Sequence, residues 1–96
     1  MVSSDTLFQL KSIFNKHLSD PQYRAFIFGS RALDRHREFS DLDIGILGPS
    51  QMPASTLIQI KSDLSDSNIP YLTDVVDFSS VSERFKNKAL SNIINI

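Results

Sequence analysis

The sequence predicts a protein of the α/β or α+β class, because stretches with helical and with strand patterns alternate along the chain. Hydrophobic residues make up 41% and charged residues 22% of the chain, which is typical of a soluble globular protein and unlike a disordered or fibrous one. The chain has 96 residues, without an internal repeat or a long linker. We therefore expect residues 1–96 to form a single domain with a modest core.

Four helices are predicted from apolar spacing and from capping residues. The first covers residues 5–18, with Ser3 or Ser4 as its cap, and a short one covers residues 30–34. The third begins near Pro53, and the last opens at a capping box over residues 80–83. The expected buried stripes of the longer helices are Leu7, Leu10, Phe14 and Leu18; Leu57, Ile60 and Leu64; and Val81, Phe85 and Ala89.

Three strands are predicted over residues 23–28, 41–47 and 71–78, which are rich in aromatic and β-branched side chains. The apolar tail over residues 91–96 is expected either to extend the last helix or to contact a partner. The second strand alternates strictly between apolar and other residues, and alternate residues of a strand share a face. One face therefore holds Leu42, Ile44 and Ile46, and the other holds Asp41, Asp43 and Gly45.

Charge and composition exclude several classes of function. Lysine and arginine number 10 against 11 acidic residues, so the net charge of -1 gives no general attraction for nucleic acid or for an anionic membrane. The chain has no cysteine, which excludes disulfides, zinc-thiolate sites and thiol catalysis. It also lacks a secretory signal pattern and a run of 18 apolar residues. We expect a cytoplasmic protein with no membrane contact and no nucleic-acid partner.

A glycine and a serine follow the first predicted strand and predict a phosphate-binding turn. Gly29 allows the backbone to turn sharply and to approach a phosphate closely. Ser30 offers a hydroxyl group at the start of a helix, where free N–H groups favour anions. Such a pair alone is more often an ordinary turn between a strand and a helix. Its interpretation therefore depends on the acidic residues that come after it.

Three aspartates supply the candidate metal-binding chemistry. Asp41 and Asp43 point to the same side of their strand, where their carboxylates repel each other unless a divalent cation such as Mg²⁺ lies between them. Asp74, on the third strand, adds a third carboxylate. Two metal ions roughly 4 Å apart can activate an attacking oxygen and stabilise a leaving pyrophosphate. The alternatives are that the first pair is only the solvent face of a strand, and that Asp77 takes the place of Asp74.

These motifs resemble those of a known family. Residues 28–32 (FGSRA), followed by residues 40–44 (SDLDI), resemble the signature of the DNA polymerase beta-type nucleotidyltransferase superfamily, and in particular its minimal nucleotidyltransferase branch. Residues 72–77 (LTDVVD) are similar to the third-strand segment of that family. The resemblance spans roughly residues 7–90. It implies a small mixed sheet of three or more strands flanked by about four helices.

The resemblance also implies the roles of individual residues. The family's last carboxylate precedes a hydrophobic pair, here Val75 and Val76, which selects Asp74 rather than Asp77. The substrate would be ATP or another nucleoside triphosphate, used with two Mg²⁺ ions. Arg31 could instead form a surface ion pair. The implied catalytic and metal-binding residues are Asp41, Asp43 and Asp74, and the implied nucleotide-binding residues are Gly29, Ser30 and Arg31.

A partner is implied in the same way. Free-standing minimal nucleotidyltransferase domains are commonly paired with a small helical HEPN toxin, which they neutralise and adenylylate. The resemblance therefore predicts an antitoxin that transfers AMP to a hydroxyl group of such a toxin. Two alternatives stay open: transfer to a small molecule, as in aminoglycoside-modifying relatives, and neutralisation of the toxin by binding alone.

Overall fold

The computed structural model describes residues 2–29, 32 and 41–96. The short helix predicted over residues 30–34 and the charged segment after it lie outside the described residues, apart from Ala32. The elements described are α1 (Ser4–His17), β1 (Arg24–Phe28), β2 (Leu42–Leu47), α2 (Ala54–Ser65), β3 (Thr73–Asp77), a 3₁₀ turn (Phe78–Ser80), α3 (Glu83–Leu90) and β4 (Ile94–Asn95).

The four strands form one mixed sheet in the order β3-β2-β1-β4. Strands β2 and β3 are parallel, whereas β1 runs antiparallel to both β2 and β4. This confirms the predicted fold class and the predicted mixed sheet. The described part of the chain holds three α-helices and the 3₁₀ turn, rather than about four helices. None of the described helices is both long enough and apolar enough to span a membrane.

Two hydrophobic clusters cover the two faces of the sheet. The large core contains residues of α1 and α2 together with Ile27, Ile44 and Ile46, which are all fully buried. The small cluster is built on Phe26, Phe28 and Phe78 and is covered by residues of α3 and the tail. The predicted alternation of β2 is therefore confirmed, because its isoleucines enter the large core.

Gly45 shows how closely the small cluster packs on β2. A Cβ atom at Gly45 would lie 2.5 Å from Cζ of Phe26 and 2.7 Å from Cε1 of Phe78. Only glycine allows both rings to lie directly against the strand. Since residues two apart share a face, Asp43 lies on this same side of the sheet. The candidate carboxylates thus lie on the face of the small cluster, not on that of the large core.

The helix caps agree with the predictions in part. Ser3 caps α1 by accepting a hydrogen bond from the Thr6 N–H. Pro53 lies at the N-cap of α2, one residue before the first turn, and makes no side-chain cap. The prediction of a capping box at residues 80–83 is wrong. The helix α3 is capped by Ser82, whose side chain accepts a hydrogen bond from the Phe85 N–H at 3.1 Å. The residues before Ser82 are taken up by the 3₁₀ turn, which Asp77 caps.

The predicted buried stripe of α3 is also wrong. No residue of this helix is buried, and Phe85 is 43% exposed. Val81 precedes the helix and, like Ala89, is only partly buried against the small cluster. The reason is that the small cluster offers only three buried phenylalanines, Phe26, Phe28 and Phe78, for the helix to pack against in the described part of the chain. An aromatic ring is left open to solvent next to the carboxylates.

The apolar tail forms a strand rather than an extension of α3. In β4, Ile94 and Asn95 pair with Ile27 and Phe26 of β1, and the Ile96 N–H donates to the Ala25 carbonyl at 3.1 Å. The tail isoleucines pack partly against the two clusters. The predicted helix extension is therefore wrong, because the tail completes the antiparallel edge of the sheet.

A polar contact on the outside of the large core joins α1 to α2 and predicts a pH dependence of stability. The Nε2 atom of His17 lies 2.6 Å from Oδ2 of Asp63, and Nζ of Lys16 lies 3.4 Å from the same oxygen. The hydrogen bond from His17, aided by Lys16, lowers the pKa of Asp63 below its ordinary value of 3.8. A lowered acid pKa gives stability that is present above the ordinary value and is lost as the pH falls through the folded-state pKa.

We expect Asp63→Asn to lower the melting temperature at pH 6 and to have a smaller effect at pH 3, because the stability that the Asp63 charge contributes is lost as the pH falls through the lowered pKa. Thermal unfolding followed by circular dichroism at both pH values measures this difference. The matched control is Asp66→Asn, at the C-cap of the same helix. A melting-temperature loss of the same size at both pH values would show that Asp63 acts through packing and not through its charge.

Candidate active site

Gly29 directly follows β1 and has a backbone conformation that favours glycine. Its φ angle is +75°, in the left-handed region that other residues rarely adopt. A Cβ atom at this position would also lie 2.5 Å from Oδ2 of Asp43. Glycine therefore lets the backbone turn and approach the carboxylate of the neighbouring strand. Ser30 and Arg31, predicted to bind nucleotide, lie outside the described residues.

Asp43 and Asp74 are direct neighbours on two parallel strands. They are register partners in the β2–β3 pairing, so their side chains lie on the same face of the sheet. Asp43 is also the register partner of Phe28, the residue before the glycine turn. Asp41 immediately precedes β2 and is exposed, as is Asp74, whereas Asp43 is partly buried. The fold thus brings two predicted carboxylates together beside Gly29, with the third two residues away along the chain.

The electrostatics of Asp43 reflect this crowding. Burial raises the pKa of the Asp43 carboxyl, and the negative charges of Asp74 and Asp41 raise it further. A carboxylate that is partly removed from water among other carboxylates is unfavourable in its charged form. A bound cation reverses that effect, and perturbed acids of this kind are concentrated at functional sites. The donor set of three carboxylates therefore suits a hard divalent cation such as Mg²⁺.

The three carboxylates do not yet surround a single point. Among the residues that the structure describes, no group of three or more histidine, cysteine, aspartate or glutamate side chains is arranged to hold a metal ion. Asp41 and Asp74 are exposed, so a change of side-chain rotamer costs little at either position. The three carboxylates therefore have the chemistry to bind a cation. To coordinate one ion together, the side chains of Asp41 and Asp74 must turn toward Asp43.

Asp77, the alternative to Asp74 as the third carboxylate of the site, has a structural role. Its Oδ2 accepts from the Met52 N–H at 2.8 Å, and its Oδ1 accepts from the Ser79 N–H at 2.9 Å. Burial by itself raises the pKa of Asp77, but these hydrogen bonds outweigh it and the pKa is lowered. Asp77 lies three residues after Asp74, so it points to the opposite face of β3. It connects the strand to the segment before α2 and to the 3₁₀ turn.

An open cavity of about 460 Å³ extends from Gly29 and Asp43 to α3. Sequence reasoning missed the α3 side of this cavity because it placed Phe85 in the core. A usable signal existed, since α3 (ERFKNKAL) is mostly polar and cannot be deeply buried. The cavity is lined by Phe28, Gly29, Asp43, Phe85, Lys88, Ala89, Ser91 and Asn92.

A second cavity lies along β3. It has a volume of about 560 Å³ and is lined by the end of α2, by the chain that leads into β3, and by Asp74 itself. The strand β3 is at one edge of the sheet, so this side of the carboxylate pair is open. The carboxylates are therefore accessible from two directions, from α3 and from the β3 edge.

Comparison with known proteins places these features in a family. The model of the family described as polymerase beta, nucleotidyltransferase, matches residues 9–96. A probable protein adenylyltransferase MntA of Haemophilus influenzae is 28% identical over 85 residues, which cover 88% of this chain and 73% of the relative.

Solved structures share the fold at lower identity. A crystal structure of a toxin-antitoxin with AMP-PNP has a TM-score of 0.71 at 17% identity, and the match covers 92% of this chain and 69% of that one. A structure of a tri-AMPylated Shewanella oneidensis HEPN toxin in complex with MNT antitoxin has a TM-score of 0.60 at 18% identity, covering 94% of this chain and 70% of the other. At these identities the two structures show a common fold.

Proposed function

This chain belongs to the polymerase beta nucleotidyltransferase family, and we propose that it transfers AMP from Mg²⁺-ATP to a hydroxyl group of a HEPN-type toxin and so acts as the toxin's antitoxin. The observation that carries this proposal is the register pairing of Asp43 with Asp74 beside the Gly29 turn. It gives two carboxylates on one face, next to a backbone turn that a phosphate can approach.

We assign the metal and nucleotide ligands to the residues predicted for them. Asp41, Asp43 and Asp74 would hold two Mg²⁺ ions, and Gly29, Ser30 and Arg31 would bind the triphosphate. When bound, the ions supply positive charge that offsets the repulsion around Asp43 and polarises the phosphate oxygens. The raised pKa of Asp43 supports this assignment, because it results first from burial and then from the negative charges of the nearby Asp74 and Asp41.

The reaction in this site is an in-line displacement at the α-phosphorus of ATP. The acceptor oxygen forms a bond to that phosphorus while the bond to the bridging oxygen of the β-phosphate breaks, and pyrophosphate leaves. The acceptor hydroxyl loses its proton to solvent as the new ester forms. Asp74, on the open β3 edge, is placed on the side from which an acceptor can enter. We therefore assign to it the activation of the acceptor.

Two comparisons support the choice of AMP and of a protein acceptor. The Haemophilus influenzae relative is described as a probable protein adenylyltransferase. A protein of the same fold is an MNT antitoxin in complex with a HEPN toxin that carries three AMP groups. We place the reaction in the cytoplasm, where ATP and Mg²⁺ are both available and where a protein needs no disulfides.

The test is co-expression with the product of the neighbouring gene, followed by incubation with ATP and Mg²⁺ and by intact-mass analysis of both proteins. We expect the partner to gain whole AMP units. The gain should disappear with EDTA, and also with an ATP analogue in which a methylene group bridges the α- and β-phosphates. A partner that is neutralised without a mass change would support binding alone. AMP found on an added aminoglycoside instead would support a small-molecule acceptor.

A further inference from the structure

The cavity between the carboxylates and α3 has the properties of a small-molecule site. Its volume of about 460 Å³ is within the usual range for ligand pockets. Gly29 and Asp43 form one end, at the proposed phosphate and metal site, and Phe85, Lys88 and Asn92 lie on the α3 side. A ligand in this cavity therefore meets a phosphate-binding turn at one end and an aromatic ring at the other.

Phe85 presents a fixed aromatic surface to this cavity. Its ring centroid lies 6.0 Å from that of Phe28, at an interplanar angle of 86°, and 5.8 Å from that of Phe78. The hydrogen bond from its own N–H to Ser82 also fixes the start of the helix beneath it. Yet the residue is 43% exposed. A ring held from one side and open on the other can stack on a nucleobase with little loss of conformational freedom.

Two polar side chains on the same side of the cavity have unused binding capacity. The Lys88 ammonium group makes no ion pair or hydrogen bond with any other residue in the described ranges. Among the described residues, the Asn92 side chain makes one hydrogen bond, which its Nδ2 atom donates to Oγ of Ser91 at 3.3 Å. A free ammonium group attracts phosphate, and a carboxamide can both donate to and accept from the edge of a base.

We propose that this cavity holds the nucleoside of the triphosphate substrate, an inference that rests on the proposed function. The base stacks on Phe85, with its edge toward Asn92, and the triphosphate extends toward Gly29 and Asp43 past Lys88. The α3 helix then determines how tightly the nucleotide binds, whereas the carboxylates perform the transfer. This division explains why an aromatic side chain of a short, mostly polar helix is left uncovered beside the carboxylates.

The test compares nucleotide affinity among phenylalanine variants that keep the fold. Phe85→Leu retains apolar contact with the small cluster but removes the ring, and Phe85→Tyr restores the ring. We expect Phe85→Leu to weaken the binding of a fluorescent ATP derivative by about tenfold, within the range for loss of one stacked base. It should raise the KM for ATP more than it lowers kcat, and Phe85→Tyr should bind nearly as well as the wild type.

Two further variants make the result specific. Phe8→Leu is the matched control, because Phe8 is 72% exposed on α1 and lies outside this cavity. It should bind ATP like the wild type.

Lys88→Gln should weaken the binding of ATP more than that of adenosine. Equal affinities of the wild type and Phe85→Leu, in variants with unchanged circular dichroism spectra, would overturn the nucleoside site alone. A wild-type protein that binds no nucleoside triphosphate would overturn the proposed function as well.

Discussion

Asp43→Asn is expected to lower the rate of AMP transfer by about 10³-fold or more while leaving the fold intact. Metal ions supply several kcal/mol of transition-state stabilisation, and each 1.36 kcal/mol corresponds to about tenfold in rate. Asp43 is the centre of the proposed metal site, between Asp41 along the chain and Asp74 across the sheet. Its side chain does not enter the large core. Asparagine fills the same space without the charge, so the loss should be catalytic and not structural.

The same variant should be at least as stable as the wild type in the absence of metal. Burial and the neighbouring carboxylates raise the folded-state pKa of Asp43 above its ordinary value of 3.8. In the window between these two pKa values the folded state binds more protons than the unfolded state, so stability falls as the pH rises. At pH 7 the substitution removes an unfavourable charge and the melting temperature should hold or rise. Below the ordinary pKa the difference should vanish.

Transfer assays and thermal unfolding in EDTA, with and without added Mg²⁺ and ATP, measure both effects. Mg²⁺ with ATP should raise the melting temperature of the wild type more than that of Asp43→Asn. Asp66→Asn, on the C-cap of α2 and outside both cavities beside the carboxylates, is the control for a lost surface charge. Near-normal transfer by the double variant Asp41→Asn, Asp43→Asn would contradict the two-metal assignment.

The strand β2 shows what the sequence could predict. A strand with one face buried must alternate with a period of two, so the isoleucines and the aspartates had to separate onto opposite faces. The position of Asp43 directly beside Asp74 could not be predicted in this way. It depends on β2 and β3 being parallel neighbours in one register. No local pattern determines this pairing. It was expected only through the resemblance to a family.

The helix α3 and the tail show why other expectations failed. Helical spacing says which residues share a side of a helix, but not whether the opposing surface is wide enough to cover them. Phe85 therefore looked like core and is half open. The strand β4 has two residues, too few for any periodicity, and exists because β1 offers it an edge. Ser80 and Ser82 are equivalent as local caps, and the choice between them depends on the turn that Asp77 holds.

Asp74→Ala is expected to affect mainly catalysis, whereas Asp77→Ala is expected to affect mainly stability. Asp74 is exposed, lies on the face of the carboxylate site and is the register partner of Asp43. Its removal should lower transfer by about 10²-fold or more and leave ATP binding measurable, because its proposed task is to hold the second metal ion and activate the acceptor. Its removal also takes a negative charge away from Asp43, so the melting temperature without metal should not fall.

Asp77→Ala should instead cost stability and reduce activity only mildly. It removes the acceptor of the Met52 and Ser79 N–H groups, and the loss of a cap of this kind costs about 1 kcal/mol. The hydrogen bonds lower the pKa of Asp77, so its contribution to stability is present above pH 3.8 and is lost as the pH falls through the lowered value.

The two purified variants should therefore be compared side by side for transfer, for ATP affinity and for melting temperature at pH 7 and near pH 3. If Asp77→Ala lost transfer and Asp74→Ala kept it, the metal-binding face of β3 would be the face that carries Asp77, and the register pairing of Asp43 with Asp74 could not be the basis of catalysis.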